Sequence, residues 1–174
     1  MTRYAALLRG INVGGIRIRM ADLKDVFDGL GFGGVRTVLA SGNVLFDSGE
    51  DATALKPMIE SALTARFGYE AYVFVLDQFR LARVVEAYPF EDRDDRHSYV
   101  VFVSDPAALE SLSAPPGELD PEVECLATGD GVLYWQVEKG GTIDSAVGRR
   151  AGSAKYKAVT TTRNTRTLRK LLGQ

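Results

Sequence analysis

Short apolar runs alternate with stretches of helical periodicity along the whole chain. A continuous apolar run of about four to eight residues is typical of a buried strand, whereas apolar residues three or four positions apart indicate a helix with one buried face. Glycine-containing segments between neighbouring runs favour tight turns, because glycine tolerates a positive φ. The pattern predicts strands at residues 4–8, 35–40, 43–47, 71–76, 98–103, 123–127, 132–137 and 159–161.

The helices are predicted from spacing and from their caps. Met20, Leu23 and Phe27 fall on one helical face, and Gly31 stands where a C-terminal cap belongs. Asp77 precedes another such stretch and is a suitable N-cap, because its carboxylate can accept from the unpaired N–H groups of the first turn. The helices are expected at residues 20–30, 55–67, 78–85, 106–112, 143–149 and 165–172.

The order of elements occurs twice. Each half reads strand–helix–strand–strand–helix–strand and then one more helix, and the two hairpin turns, at residues 41 and 128, lie 87 residues apart. This βαββαβ order is the ferredoxin-like one. The sequence therefore predicts an α+β protein made of two tandem duplicated ferredoxin-like halves, 1–90 and 97–174, joined by a charged connector at 91–96.

Charge is distributed unevenly, although the net charge is only −2. Residues 86–138 carry 13 acidic and 2 basic side chains, whereas residues 139–174 carry 9 basic and 1 acidic. Such polarity bears on partners rather than on fold. Either the basic end binds an anion, or the two sets of charges face each other or are solvated on separate surfaces.

The compartment is predicted from cysteine use and hydropathy. A lone cysteine, Cys125, cannot form an internal disulfide, so folding does not require an oxidising compartment. No run approaches the roughly 18 apolar residues of a membrane-spanning helix, and the N-terminal apolar run is typical of a strand rather than a signal peptide. We expect a cytoplasmic protein that does not contact membranes.

Several motifs are too particular to be generic. They are the run Ala-Leu-Leu-Arg-Gly-Ile-Asn-Val-Gly-Gly at 6–15, Met-Ala-Asp-Leu at 20–23, the stretch 31–37, Ser-Gly-Asn-Val at 41–44, and Lys-Tyr at 155–156 with Thr-Arg-Asn at 162–164 and Thr167. Over essentially the whole chain the sequence resembles a bacterial family named "domain of unknown function 1697". The resemblance implies a duplicated ferredoxin-like fold and no established substrate or reaction.

Two familiar motifs of nucleotide-binding and catalytic sites, G-x-x-x-x-G-K-[ST] and G-x-S-x-G, are absent from the sequence. The single histidine, His97, is expected to be solvated in the connector, and Cys125 is expected to be a small core residue. No metal site and no cofactor are predicted, and the catalytic residues, if there are any, are unknown.

The glycine-rich loop after the first strand is the leading candidate site. Glycine lets backbone N–H groups approach an anion closely, and arginine adds bidentate hydrogen bonds to a phosphate or carboxylate. Alternatively, the glycines only shape a tight loop and the first arginine pairs with an internal carboxylate. The candidate residues are Arg9, Gly10, Asn12, Gly14, Gly15 and Arg17.

Two further segments are candidates. Ser41 and Asn43 flank the hairpin glycine, where a purely structural role is equally natural. The third segment combines hydroxyls, basic residues and the start of a helix, which together favour an anion, although its last residue also serves as a plain N-cap. Its members are Lys155, Tyr156, Thr162, Arg163 and Asn164.

Three functional hypotheses remain open from the sequence. The first is an anion-binding module for nucleic acid or a nucleotide, although the isoelectric point near 5.5 opposes it. The second is an enzyme acting on a small phosphorylated or carboxylated substrate, which would need a lysine or tyrosine with a shifted pKa. The third is a protein–protein interaction module whose charge asymmetry drives association.

Overall fold

The computed structural model describes residues 1–12, 15–114, 117 and 119–174. The chain forms two compact units. Unit 1 comprises Met1–Ala82 and Arg169–Gln174, and unit 2 comprises Arg83–Leu168. The last six residues therefore pack with unit 1, although they follow unit 2 along the chain.

Every predicted strand and helix has a counterpart in the structure, within a few residues at each end. The elements of the first part are β1 (Thr2–Leu8), α1 (Met20–Gly29), β2 (Gly33–Thr37), β3 (Asn43–Ser48), α2 (Ala52–Phe67), β4 (Val73–Asp77) and α3 (Gln78–Glu86). Those that follow are β5 (Arg96–Val103), α4 (Pro106–Ser113), β6 (Glu124–Thr128), β7 (Val132–Glu138), α5 (Ala146–Ala151), β8 (Thr160–Asn164) and α6 (Thr165–Leu171), with a short 3-10 turn at Ala154–Tyr156 before β8.

The sheet of unit 1 has four antiparallel strands in the order β2-β3-β1-β4. At its centre, Ala6 pairs with Val44 of β3 and Val75 of β4. Alternate residues of β1 belong to the same buried core as the apolar faces of α1 and α2, as period-two strands and 3.6-residue helices require. Phe27 of α1 meets Phe46 of β3 edge to face, with ring centroids 5.4 Å apart.

The predicted N-cap of α3 is confirmed, and other helices have caps of the same kinds. The Asp77 carboxylate accepts from the backbone N–H of Arg80 at 2.7 Å, and Asp105 accepts from Ala107 at 3.1 Å. Gly68 ends α2 in the left-handed conformation with φ 69°. These cap interactions join residues that are two to four positions apart in the sequence. They therefore do not depend on contacts with distant parts of the chain.

Unit 2 has its own sheet of four antiparallel strands, in the order β6-β7-β5-β8. Its core is formed by apolar residues of β5 and β7 against α4, α5 and the 3-10 turn. The chain as described is thus an α+β protein with two four-stranded antiparallel sheets and six α-helices.

Arg96, the last residue of the predicted connector, and His97 after it belong to a strand. Arg96 begins β5 and is buried, because its guanidinium donates to the carbonyl oxygens of Pro121 and Glu122 at 2.8 and 2.7 Å. His97 follows it in β5 and is half-buried, so this histidine lies in a strand and not in the connector. Cys125 lies in β6 and is half-buried rather than in the core. In the described part of the chain, no helix is long and apolar enough to cross a membrane.

Candidate functional site

Two of the predicted segments meet at one end of the sheet of unit 1. We call residues 9–12 and 15–19, which leave β1, the first loop, and residues 38–42, which join β2 to β3, the second loop. The side-chain amide of Asn12 donates to the carbonyl oxygen of Ala40 at 2.7 Å, and the N–H of Leu8 donates to that of Gly42 at 2.8 Å. The first and second loops therefore form one connected surface, the loop pair.

Asn12 also organises the first loop internally. Its Nδ2 donates to the carbonyl oxygen of Ile18 at 3.2 Å, and its Oδ1 accepts from the N–H of the same residue at 2.9 Å. Its backbone N–H donates to the carbonyl oxygen of Ile16 at 2.6 Å. Because both ends of the side-chain amide are already used, Asn12 shapes the loop pair rather than offering a side chain to a ligand.

Gly42 permits the close approach of the two loops. A Cβ at this position would lie 2.8 Å from the side chain of Ile11 and 3.0 Å from that of Leu8. The backbone of Gly42 also has φ 78°, which favours glycine. The hairpin glycine therefore has a packing role that the turn signal alone does not indicate.

Backbone strain is concentrated in the loop pair. Among the described residues, Asn12 with φ 56° and Leu39 with φ 60° are the non-glycine residues with positive φ. Leu39 has a branched side chain, for which this conformation is uncommon, and that side chain is 48% exposed. Strain of this kind clusters at ligand-binding sites, where the surroundings hold it in place.

Positive charge is provided by the first loop. Arg9 is half-buried, its backbone N–H donates to the carbonyl oxygen of Tyr72 at 3.0 Å, and burial lowers the pKa of its guanidinium. Arg17 and Arg19 are exposed, and the latter forms an ion pair with Asp22 at 2.7 Å. Hydrogen bonding to Asp22 raises the pKa of Arg19.

The remaining predicted residues of these segments have different surroundings. Gly10, with φ 69°, and Gly15 are exposed, and Gly14 lies outside the described residues. Asn43 is fully buried and donates to the carbonyl oxygen of Val38 at 2.8 Å and to Ser41 Oγ at 2.9 Å. Asn43, at the buried start of β3, therefore holds the second loop in place by these hydrogen bonds. Ser41 of that loop is exposed.

The third predicted group is divided between the two ends of β8. Lys155 and Tyr156 lie in the 3-10 turn before the strand, whereas Asn164 is its last residue and caps α6 by accepting from the N–H of Arg166 at 2.8 Å. Thr162 is exposed in the strand. Arg163 is buried there and donates to Thr161 Oγ1 at 2.7 Å.

Two residues that the sequence does not single out, Ser111 and Arg150, lie near the hydroxyl of Tyr156. Its hydroxyl lies 2.8 Å from Ser111 Oγ, which also accepts from Arg150 Nη2 at 3.2 Å. Ser111 precedes Tyr156 by 45 residues and Arg150 lies on another helix. The basic composition of the segment indicated Arg150 only in general terms, and no local signal indicates Ser111.

The other end of β8 borders a polar cavity of about 170 Å³ in unit 2. Asn164 lines it together with both acidic and basic side chains, so the cavity has no single sign of charge. Its lining residues are Asp92, Arg93, Asp94, Arg96, His97, Ser98, Lys139, Asn164, Thr165 and Arg166. Within the described residues, no group of three or more His, Cys, Asp or Glu side chains is placed to hold a metal ion.

Comparison with known proteins identifies the family and the fold. A structure of a conserved bacterial protein from Streptococcus pneumoniae is similar over 99% of this chain and 97% of its own, with a TM-score of 0.80 and 24% sequence identity, which shows a shared fold. A crystal structure of an unknown protein from Galdieria sulphuraria matches over 94% of this chain and 96% of its own, at 11% sequence identity and with a TM-score of 0.29. None of the curated proteins matches the sequence.

The family resemblance noted in the motifs is confirmed over most of the chain. The family described as "Protein of unknown function (DUF1697)" matches residues 1–134, which include both loops of the loop pair, the strands β1 to β6 and the start of β7. The chain therefore belongs to the DUF1697 family.

Proposed function

We propose that the protein binds an anion, either a nucleic acid or a nucleotide, through the loop pair of unit 1. The observation that supports this most directly is the joining of two strained polar loops, held by Asn12 and Gly42, beside the arginines of the first loop. A surface whose shape is fixed in advance loses little conformational entropy when a ligand binds.

Electrostatics favours an anion at this surface. The first loop has Arg9, Arg17 and Arg19 within eleven residues, and of these Arg19 forms an ion pair with Asp22. The guanidinium of Arg9 is partly desolvated by burial, and this burial lowers its pKa. A charge-assisted hydrogen bond to a phosphate is stronger in such surroundings than in bulk water. The local charge therefore outweighs the mildly acidic isoelectric point of the whole chain.

The loop pair also suits the uncharged part of a nucleotide. Leu39 presents an exposed apolar side chain on the second loop, and the exposed Ser41 lies two residues further along the same loop. An apolar contact for a base, a hydroxyl and arginines for a phosphate together match a nucleotide better than an inorganic ion.

The strand orders support a further proposal on ancestry. We infer that the two units are tandem ferredoxin-like copies from an internal duplication, because β2-β3-β1-β4 and β6-β7-β5-β8 place corresponding strands in corresponding positions. The predicted division at 1–90, 91–96 and 97–174 belongs to the same proposal.

The cysteine content supports a cytoplasmic location. The single cysteine, Cys125, cannot form a disulfide within the chain, so the fold does not require an oxidising compartment.

The proposal is tested by replacing Arg9 and measuring ligand-dependent thermal stability. A ligand that binds the native state raises the melting temperature. We expect AMP or a short single-stranded DNA to raise it at low salt, and the rise to disappear in Arg9→Ala. Binding of the DNA should also weaken steeply as salt is added, because phosphate contacts release counterions.

The matched control is Arg80→Ala, which removes an exposed arginine from α3 of the same unit. It should keep the ligand-dependent rise. An equal rise in wild type, Arg9→Ala and Arg80→Ala would contradict the proposal. The absence of any rise with either probe in the wild-type protein would also contradict it and favour the protein–protein interaction hypothesis.

A further inference from the structure

Four polar side chains of unit 2 converge outside the loop pair. Ser111 belongs to α4, Arg150 to α5, and Lys155 and Tyr156 to the 3-10 turn before β8. Ser111 Oγ and Tyr156 OH lie 2.8 Å apart, and Arg150 Nη2 lies 3.2 Å from Ser111 Oγ. Lys155 Nζ lies 5.2 Å from the centroid of the Tyr156 ring. We call these four residues the hydroxyl cluster.

The hydroxyl cluster is fixed in position by the core of unit 2. The ring of Tyr156 is buried in that core, while Ser111 and Arg150 are half-buried and Lys155 is exposed. Arg150 Nη1 also donates to the carbonyl oxygen of Ala114, at the end of α4. The polar groups are therefore held in one place while one side stays open to solvent.

The hydroxyl cluster has hydrogen-bond donors in excess. Its two hydroxyls carry two protons, and the Ser111–Tyr156 bond uses one of them. The side chains of Arg150 and Lys155 carry donors only. Within the part of the chain that the structure describes, the second hydroxyl proton has no acceptor, and neither of these two cations forms an ion pair with a carboxylate.

The electrostatic environment agrees with this excess of donors. The hydrogen bond with Ser111 lowers the pKa of Tyr156, and Arg150 and Lys155 lower it further, whereas burial acts in the opposite direction. A site that favours the phenolate also favours other negatively charged oxygens. The lower pKa accompanies the geometry and does not by itself define a ligand.

We propose that the hydroxyl cluster is a binding site for an oxyanion, most suitably the phosphate group of a small phosphorylated molecule. Two cations and one hydroxyl proton with no acceptor among the described residues provide the donors that a phosphate oxygen accepts, and Arg150 has N–H groups beyond the two that it donates to Ser111 and Ala114. The site lies in unit 2 and does not rest on the loop pair of unit 1. It gives the protein a second anion site that the sequence indicated only through Lys155 and Tyr156.

The test is a titration of the intact protein with inorganic phosphate, followed by amide NMR and by thermal shift. We expect phosphate to shift the amide signals of Ser111, Arg150 and Lys155 and to raise the melting temperature. Lys155→Gln and Ser111→Ala should each weaken phosphate binding about tenfold, the effect of losing one charge-assisted hydrogen bond. Acetate is titrated in parallel, and tighter binding of phosphate than of acetate identifies the doubly charged group as the preferred one.

The matched control is Lys157→Gln, which removes the same charge from an exposed lysine two residues away. It should bind phosphate as tightly as the wild type. Equal weakening in Lys155→Gln and Lys157→Gln would overturn the proposal and leave only a general effect of positive charge. Phosphate-induced NMR shifts confined to unit 1 would overturn it as well. Because the two sites are tested by different variants, failure of one proposal leaves the other intact.

Discussion

Single residues of this protein serve the fold in positions where their sequence context indicates ligand binding. Asn12 lies in a glycine-rich loop, yet its amide donates to Ile18 and Ala40 and accepts from Ile18. Asn43 likewise uses its amide nitrogen on Val38 and Ser41. In the sequence, an asparagine beside glycine is compatible with ligand binding and with a structural role. Only the hydrogen-bond distances in the structure distinguish these two roles. Within the described part of the loop pair, the arginines and the exposed Leu39 and Ser41 are the candidates for contacting the proposed anion.

Gly42→Ala tests how closely the two loops must approach. An added Cβ would clash with Ile11 and Leu8 and would also be strained at φ 78°. We expect the free energy of unfolding to fall by about 3 kcal/mol. Gly31→Ala is the matched control, because Gly31 has φ 81° but no atom within 4 Å of the position that an added Cβ would occupy.

In urea unfolding, Gly31→Ala should cost only about 1 kcal/mol, the strain of the left-handed backbone alone. The difference between the two variants then measures the packing of Ile11 and Leu8 over the hairpin. Equal losses in the two variants would show that packing against Ile11 contributes nothing and that the loops are not pressed together.

Glu124 is a buried carboxylate that the sequence gives no reason to single out. It is 3% exposed, and its oxygens accept from Trp135 Nε1 at 3.0 Å and from the N–H groups of Ala146 and Val147 at 2.9 and 3.3 Å. It therefore holds the start of α5, the helix that carries Arg150. The acidic run around it in the sequence is otherwise mostly exposed, so Glu124 differs from its neighbours in environment and not in type.

Glu124→Ala should lower the free energy of unfolding by about 3 kcal/mol, because two buried donors and one partly buried donor lose their acceptor. The measurement is urea unfolding followed by the fluorescence of Trp135, the single tryptophan, which contacts the same carboxylate. Glu122→Ala, which removes an exposed carboxylate two residues away, should change stability by less than about 0.5 kcal/mol. Similar losses in the two variants would refute a structural role for Glu124.

At the scale of elements, the sequence predicted what is decided locally and missed what is decided at long range. The cap Asp77 acts within its own helix, and its role was correctly predicted. The start of β5 was misplaced because Arg96 is buried by carbonyl groups 25 and 26 residues away. For the same reason, the sequence singled out only Lys155 and Tyr156 of the hydroxyl cluster. Ser111 lies 45 residues before Tyr156, so no local pattern connects the two.

The segment between α3 and β5 gives unit 2 a pH-dependent contact. Tyr88 donates to the carbonyl oxygen of Trp135 at 3.0 Å and meets Tyr134 edge to face at 5.5 Å. Burial raises the pKa of Tyr88 from 10.0 to about 12. Between about pH 10 and 12 the hydroxyl of Tyr88 therefore stays protonated in the folded state, whereas it is deprotonated in the unfolded chain. The free energy of unfolding falls as the pH rises through this range.

Tyr88→Phe removes this titration. At neutral pH the variant should be less stable by about 1 kcal/mol, because the hydrogen bond to Trp135 is lost. Between about pH 10 and 12, however, it should lose less stability than the wild type. Urea unfolding at neutral and alkaline pH measures both effects, and an identical alkaline loss in the two proteins would assign the pH dependence to other groups.

At the scale of the whole molecule, the division into units does not follow the order of the chain. The last six residues belong to unit 1, and the carbonyl oxygen of Leu171 accepts from Gln78 Nε2 at 3.1 Å within that unit. Helix α6 thus begins in unit 2 and ends in unit 1, as α3 begins in unit 1 and ends in unit 2. Neither boundary is visible in composition, because both fall inside continuous helices.

A pair of equivalent truncations tests this division. Leu171 of α6 and Leu112 of α4 are each 2% exposed, and replacing either with alanine should cost about 3 kcal/mol by leaving a cavity. Hydrogen exchange should then become faster mainly in unit 1, including β4 and the start of α3, for Leu171→Ala, and mainly in unit 2 for Leu112→Ala. If Leu171→Ala instead accelerated exchange only in β5 to β8, the C-terminal residues would be part of unit 2, and the packing that assigns them to unit 1 would be wrong.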